Sequence, residues 1–235
     1  PGRMAIESTR VLPTDSVFVR DGGASGMWFS GLVQFTPRDA MWNSNYGAVG
    51  PGLPYAVGAQ LAVGAERRVV LVTGGSRGLG REMALAAARC GADVVIASRK
   101  FDSCQDTAAA IEAETGRTAM PYAVHVGHWD ELDGLVDAVH ERFGRLDVLV
   151  NNAGMSPVYD KQTDVTEKLF DAVVSLNLKG PFRLSALVGE RMVAAGGGVI
   201  INVSTHGSLR PHPSFIPYAA SKAGLNAMTE GLAMA

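Results

Sequence analysis

Residues 67–235 of this 235-residue chain are predicted to form a doubly wound α/β fold, and three patterns predict it. Short, apolar, β-branched runs recur, as strands buried on both faces should. Amphipathic stretches at helical spacing separate them. The first apolar run also passes directly into a glycine-rich turn. Strand and helix in alternation imply a parallel sheet joined by right-handed crossovers.

The elements follow in order. Residues 1–66 have a different texture: rich in Gly, with one expected strand in DSVFVRDGG (15–23) and a helix-like PYAVGAQLAVGA (54–65). No internal repeat and no polar linker separates this part from the rest, although independent domains normally meet at one. VVLV (69–72) is the first strand of the α/β half, and REMALAAARC (81–90) reads as the helix behind it. ADVVIAS (92–98) and TAMPYAVHV (118–126) are the next strands. In DELDGLVDAVHERF (130–143), Leu132, Leu135, Val136, Val139 and Phe143 fall on one helical face. LDVLVN (146–151) and VIINVS (199–204) complete the strands, and a last helix begins near Tyr218.

Composition excludes several classes. A formal charge of −2 lacks the basic face a nucleic-acid partner requires. No apolar run reaches the roughly 18–20 residues of a membrane span, and PGRMAIESTR lacks a signal peptide's apolar core. Cys90 and Cys104 are not spaced as a redox or zinc pair and read as reduced thiols of a cytoplasmic protein. His125, His128, His140, His206 and His212 show no metal-binding spacing, and no metal is expected. Asn202-Val203-Ser204 matches a glycosylation sequon inside an apolar run and reads as chance.

The turn itself is Thr73-Gly74-Gly75-Ser76-Arg77-Gly78-Leu79-Gly80. Glycine permits the tight backbone and lets a pyrophosphate approach the main chain, while the following helix offers free N–H groups to phosphate. The spacing is G-x-x-x-G-x-G. With it come Asn151-Asn152-Ala153-Gly154 at a strand end, Asn177 in VSLNLKG, and Tyr218-Ala219-Ala220-Ser221-Lys222 after INVSTHGSLRPHPSFIP. In order and spacing, residues 67–235 resemble the short-chain dehydrogenase/reductase family, which implies a Rossmann-type sheet and a small carbonyl or alcohol substrate. Members of that family are usually homo-oligomers.

The resemblance implies roles. Tyr218 would exchange a proton with the carbonyl oxygen, and Lys222, four residues on and on the same helical face, would favour the phenolate and hold the nicotinamide ribose. The family's carbonyl-binding hydroxyl falls on Thr205, thirteen residues before Tyr218, or on Ser204 if the loop carries one extra residue. Asn177 would hold a water that links Lys222 to solvent. Thr73 to Gly80 and Asn152-Ala153-Gly154 would form the floor of the cofactor site. The second strand ends Ala97-Ser98-Arg99-Lys100, with Ser98 where an NAD enzyme has an acid, and Arg99 and Lys100 suited to a 2′-phosphate. Arg77 could assist. NADP is therefore expected over NAD. His125 stands where many relatives carry Asp near the adenine, and ASRK with HVG resembles NADP-dependent carbonyl reductases; a 3-oxoacyl reductase is the neighbouring type.

The first part resembles another family. SVFVRDGGASGMWFSGLVQF and Gly47-Ala48-Val49-Gly50-Pro51-Gly52-Leu53-Pro54-Tyr55-Ala56 are similar to the cofactor domain of thiamine-diphosphate enzymes of the acetolactate synthase type. Those enzymes continue into Gly-Asp-Gly, whose Asp begins the Mg²⁺ and diphosphate site; here Gly75 follows Gly74, so neither ligand is expected. VVLVTG suits both families, and two unrelated pieces are read as meeting within it, a chimera of residues 1–66 and 67–235. Against its family the second piece reads as truncated, which would leave its sheet incomplete at the C-terminal edge and 199–204 as a bare edge strand. The competing readings are a thiamine-diphosphate carboligase or decarboxylase fragment, and a nucleotide-binding chain without catalysis.

Overall fold

The computed structural model describes residues 18–20, 40–42 and 68–234. The chain divides into two compact units, Pro1–Glu66 and Arg67–Ala235. In the first, β1 (Phe18–Arg20) pairs in parallel with β2 (Ala40–Trp42). β1 lies within the strand expected at 15–23; the expected helix at 54–65 and the glycine segment at 47–56 lie outside the described residues.

The second unit holds a five-stranded parallel sheet. Its strands are β3 (Val69–Thr73), β4 (Asp93–Ser98), β5 (Ala119–Ala123), β6 (Val148–Asn151) and β7 (Val199–Asn202), in the order β5-β4-β3-β6-β7. All four pairings are parallel. The chain winds outward from β3 to β5, then returns to start β6 on the other side of β3. That reversal opens a crevice beyond the strand ends, where doubly wound sheets bind their ligands.

Among the described residues, six α-helices accompany the sheet: α1 (Gly78–Arg89), α2 (Phe101–Thr115), α3 (Leu132–Phe143), α4 (Glu167–Val174), α5 (Gly180–Ala194) and α6 (Ile216–Leu232). One core joins Leu71, Val95 and Leu149 of the strands to Leu132, Leu135, Val136 and Val139 of α3 and to Leu184, Val188 and Met192 of α5. Phe143, on the same stripe, packs against that core from a half-buried position. The alternate strand residues Val70, Val72, Val94 and Ile96 are also buried, and α1 and α2 pack on β3 and β4. Both faces of the sheet are thus covered, which is why its strands read as continuous apolar runs rather than alternating ones.

Three elements differ from expectation. β5 stops at Ala123, short of the 118–126 run. It is an edge strand, which tolerates Pro121, and after the Val124 N–H to Ser98 O bond (2.9 Å) the chain turns into the crevice. β7 ends at Asn202 rather than 204, because its successors turn toward the site loop; it is the other edge of this sheet and is half-buried. Between α4 and α5, residues Ser175–Lys179 form a π-helical stretch that no periodicity announced.

At the far ends of the strands, Asp147 fastens β6 to β3. Its carboxylate accepts from the Val69 N–H (2.8 Å), Arg68 (3.0 Å) and Arg145 (2.6 Å). Burial works against the charge, but these donors hold the carboxyl below its usual range.

Candidate active site

A cleft of about 690 Å³ lies at the reversal point, beyond β3, β4 and β6. Its lining includes Gly74 and the run Ser76 to Gly80, then Ser98-Arg99-Lys100, then Asn152-Ala153-Gly154. These stretches are far apart in sequence, and the sheet brings them to one rim. Thr73 is buried beneath the cleft rather than in it, and it organises the floor. Its hydroxyl accepts from the N–H groups of Asn152 and Ala153, both at 3.0 Å, and donates to Val150 O at 3.2 Å. Asn152 Nδ2 donates to Thr73 O at 2.9 Å. The two turns that flank the crevice are therefore pinned to each other.

Two glycines are required by this geometry. Gly74 sits at φ +66°, a left-handed conformation, with its missing Cβ facing Asn152 Nδ2 and the Ala153 backbone. A Cβ on Gly80 would run into the Gly74 carbonyl oxygen and come within 2.5 Å of Asn152 Nδ2. Gly80→Ala is therefore expected to destabilise the fold by about 1–3 kcal/mol, the usual cost of overpacking, read from the denaturant midpoint. No side chain caps the N-terminus of α1, and no acidic residue occupies its first turn. Its free N–H groups and positive dipole end face the cleft, an environment suited to phosphate.

Arg99 and Lys100 are exposed at the cleft rim beside half-buried Ser98. His125 lines the same end, its ring stacked on His128 at 4.2 Å, while His128 Nδ1 lies 2.8 Å from Glu131. Burial, then His128 and Arg99, lower the His125 pKa and favour the neutral ring. The residues present fit a dinucleotide: a narrow glycine floor and uncapped amides face the cleft, and Ser98 rather than an acid ends β4. Ser103, Val124, Val126, Met155 and Leu176 also line the cleft. Sequence reasoning did not name them, since small and apolar residues, whether in loops or on helices as Ser103 and Leu176 are, give no local signal of lining a site.

Tyr218, Lys222, Thr205, Ser204 and Asn177 lie outside that lining. Gly154 joins the two groups: a Cβ there would stand 3.3 Å from Asn177 Oδ1 and 3.8 Å from Lys222 Nζ. Lys222 is only 4% exposed, and its Nζ donates to Val203 O at 2.7 Å. Burial lowers its pKa from 10.5 to about 8. Asn177 is fully buried in the π-helical stretch. Its Oδ1 accepts from Met155 N (2.9 Å), and its Nδ2 donates to Met155 O (2.9 Å) and Ser221 Oγ (3.1 Å). Both amide donors are thus engaged within the protein, leaving one Oδ1 lone pair for a further partner. Ser221, between Tyr218 and Lys222 on α6, donates to Tyr218 O (2.7 Å); its place in Tyr-x-x-Ser-Lys was the available signal.

Tyr218 is half-buried, with the Phe215 ring edge-on at 5.9 Å. Thr205 is half-buried and its Oγ1 accepts from Gly207 N at 3.2 Å, capping a 3₁₀ turn at His206–Ser208. Its hydroxyl hydrogen stays available to donate. Ser204 is exposed. Ser208 Oγ donates to Thr205 O (2.6 Å) and accepts from Asn226 Nδ2 (2.9 Å), which ties this loop to α6.

Comparison with known proteins identifies the frame. A family model described as short chain dehydrogenase matches residues 68–235. A second, the C-terminal TPP-binding domain of thiamine pyrophosphate enzymes, matches residues 21–97, so the two matches share 68–97. The shared part is β3, the glycine turn, α1 and β4, longer than the strand alone that suited both families. An uncharacterized oxidoreductase of Thermotoga maritima is 37% identical over 169 residues, covering 72% of this chain and 66% of its own length. An NAD-dependent glycerol dehydrogenase of Listeria innocua is 34% identical, covering 71% of this chain and 64% of itself. Among solved structures, a putative short-chain alcohol dehydrogenase of Sinorhizobium meliloti superposes with TM-score 0.69 at 40% identity, over 74% of this chain and 68% of that one. A metagenomic short-chain oxidoreductase in complex with NADP gives 0.68 at 34% identity, over 71% and 74%. The chain thus spans less than two thirds of the length of the two curated relatives. By the match over residues 68–235, most of its length, the chain belongs to the short-chain dehydrogenase/reductase family.

Proposed function

We propose that residues 67–235 form an NADP-binding unit for reversible reduction of a ketone to a secondary alcohol, in the manner of a carbonyl or 3-oxoacyl reductase, behind a thiamine-enzyme-like piece at 1–66. The observation that carries the proposal is the buried ammonium of Lys222, one helical turn from Tyr218 and against Gly154 of the cleft. When bound, the nicotinamide supplies or accepts the hydride. The glycine turn and the amides of α1 hold the pyrophosphate, Ser98, Arg99 and Lys100 the 2′-phosphate, and Lys222 the ribose. Tyr218 exchanges the proton at the substrate oxygen. Thr205 or Ser204 donates to that oxygen, with Thr205 favoured by its half-buried, held position. Asn177 keeps Met155 and Ser221 in register and offers its remaining Oδ1 lone pair to a water beside Lys222.

Thiamine chemistry is disfavoured at Gly75. A Cβ there would meet Val72 O at 2.9 Å and Ile96 Cγ2 at 3.2 Å, so the turn has no room for the metal-binding Asp. The free thiols of Cys90 and buried Cys104 suit a reducing, cytoplasmic setting.

The relatives include NADP and NAD users, so the cofactor is tested directly, by nucleotide fluorescence titration of the chain and of Arg99→Asp. NADPH is expected to bind more tightly than NADH. The variant should lose about 30-fold or more for NADPH, the worth of a charge-assisted phosphate contact, with little change for NADH. Equal affinities in the parent chain would remove the NADP assignment.

A further inference from the structure

α6 carries Tyr218 and Lys222, and the way it starts is unusual. Its flanking residue, Phe215, has no side-chain oxygen, and no side chain of the turn caps the helix. Pro217, inside the first turn, has no N–H. The Ile216 N–H is therefore a donor that neither the helix nor its own turn can satisfy. It is met from elsewhere in the chain: the Tyr159 hydroxyl accepts from it at 2.7 Å. Two further bonds run alongside. Tyr159 N donates to Ser214 O at 3.3 Å, and Gln162 Nε2 donates to Pro213 O at 3.2 Å.

The segment that ends in Tyr159 begins at Asn152-Ala153-Gly154-Met155, on the floor of the cleft, where Thr73 and Asn177 fix it. One short piece of chain thus connects the cleft floor to the first turn of α6. The turn it reaches is directly coupled to the phenol, because Phe215 packs edge-on against Tyr218. That turn also closes on itself through His212 Nδ1 and Ser214, at 2.8 Å to Oγ and 3.3 Å to N. It would therefore persist if the Tyr159 hydroxyl were removed, and water could reach the freed N–H. The loss would be one of placement rather than of folding.

We infer that Tyr159 is a positioning residue, its hydroxyl capping α6 from outside so that Tyr218 is held in fixed relation to Lys222 and the cleft floor. The inference rests on the acid/base reading of Tyr218. A rigid ring fixed at its backbone and anchored at its hydroxyl defines one distance, which a flexible cap such as Ser at position 215 would not do.

Tyr159→Phe removes the oxygen and nothing else. Amide exchange of Ile216, followed by NMR, should accelerate about tenfold or more. Turnover of a ketone substrate should fall about three- to tenfold, the size of a lost helix cap, with NADPH affinity and substrate KM within twofold. The thermal midpoint should move little, and the rate-against-pH profile should shift toward higher pH as Tyr218 drifts from Lys222. Unchanged Ile216 exchange would overturn the capping. A parallel fall in NADPH affinity and thermal midpoint, with an unmoved pH profile, would make the residue merely structural and overturn the positioning role. If the parent chain binds NADPH yet turns nothing over, the catalytic reading fails on that result alone, while Ile216 exchange still decides the cap.

Discussion

Tyr218→Phe is expected to lower ketone turnover by about 10²–10⁴-fold, the range for removing a general acid, while leaving NADPH affinity within about threefold. The separation follows from geometry. The nucleotide cleft is lined by the glycine turn, the β4 end and the Asn152 to Met155 segment, and Tyr218 is not among its walls. In the proposed mechanism the phenol would act at the substrate oxygen, apart from the nucleotide, while Lys222 and Asn177 meet the cleft at Gly154. Steady-state rates beside a fluorescence titration measure both quantities on one preparation. Retention of turnover within tenfold would move the proton transfer to another group, and the hydroxyl of Thr205 would then be the first to replace.

Lys222→Met should abolish turnover and also change how stability depends on pH. Burial holds the ammonium at a pKa of about 8, against 10.5 when exposed. Below pH 8 the group is charged in both the folded and unfolded chain, and folding bears the whole cost of burying it, about 3 kcal/mol. Above 10.5 it is neutral in both and the cost vanishes. Lys222 therefore makes the parent chain more stable as pH rises from 8 to 10.5, a rise the Met variant should lack. The variant also leaves Val203 O without its 2.7 Å donor, a penalty of about 1–3 kcal/mol that does not vary with pH. The slope of the difference, from denaturant unfolding at several pH values, is thus the diagnostic quantity. A difference that stays flat across the window would mean that the ammonium is better solvated than its surroundings imply.

The parts of this fold that could be read from sequence are those where local chemistry leaves no choice. Val69–Val72 is apolar throughout because both faces of β3 are covered, and the turn after it is glycine-rich because Gly80 has the Gly74 carbonyl where a Cβ would go. The glycine turn, Ser98 to Lys100 and Asn152 to Gly154 line one cleft because each lies at the end of a strand in one parallel sheet, whereas Tyr218 and Lys222 lie outside that lining. α2 was missed, although Cys104, Thr107, Ala108 and Ile111 form a buried helical stripe. Small residues make that stripe too weakly apolar to stand out. Tyr159 was missed for another reason: its partner is 57 residues away, and no spacing rule connects a loop tyrosine to a distant helix start. Thr205 and Ser204 could not be separated by counting, since the answer depends on the path of a loop. Asn177 was placed from its motif, but its engaged amide and the π-helical backbone around it follow only from packing.

That π-helical stretch makes Glu167–Ala194 a vernier as well as a support. Buried positions along it fall at Val173, Asn177, Gly180, Pro181, Leu184, Ser185, Val188 and Met192, and from Val173 through Asn177 to Pro181 the stride is four residues. An ordinary α-helix advances 3.6 per turn, so the stride must be absorbed somewhere, and the wide turn at Ser175–Lys179 absorbs it. Wound as ordinary α-helix, the same five residues would sweep roughly 90° further and rotate everything downstream by that much. Leu184 and Val188 would swing off the sheet, and Asn177 off Met155, in a single step. The pitch of that one turn therefore sets which face of α5 meets the sheet.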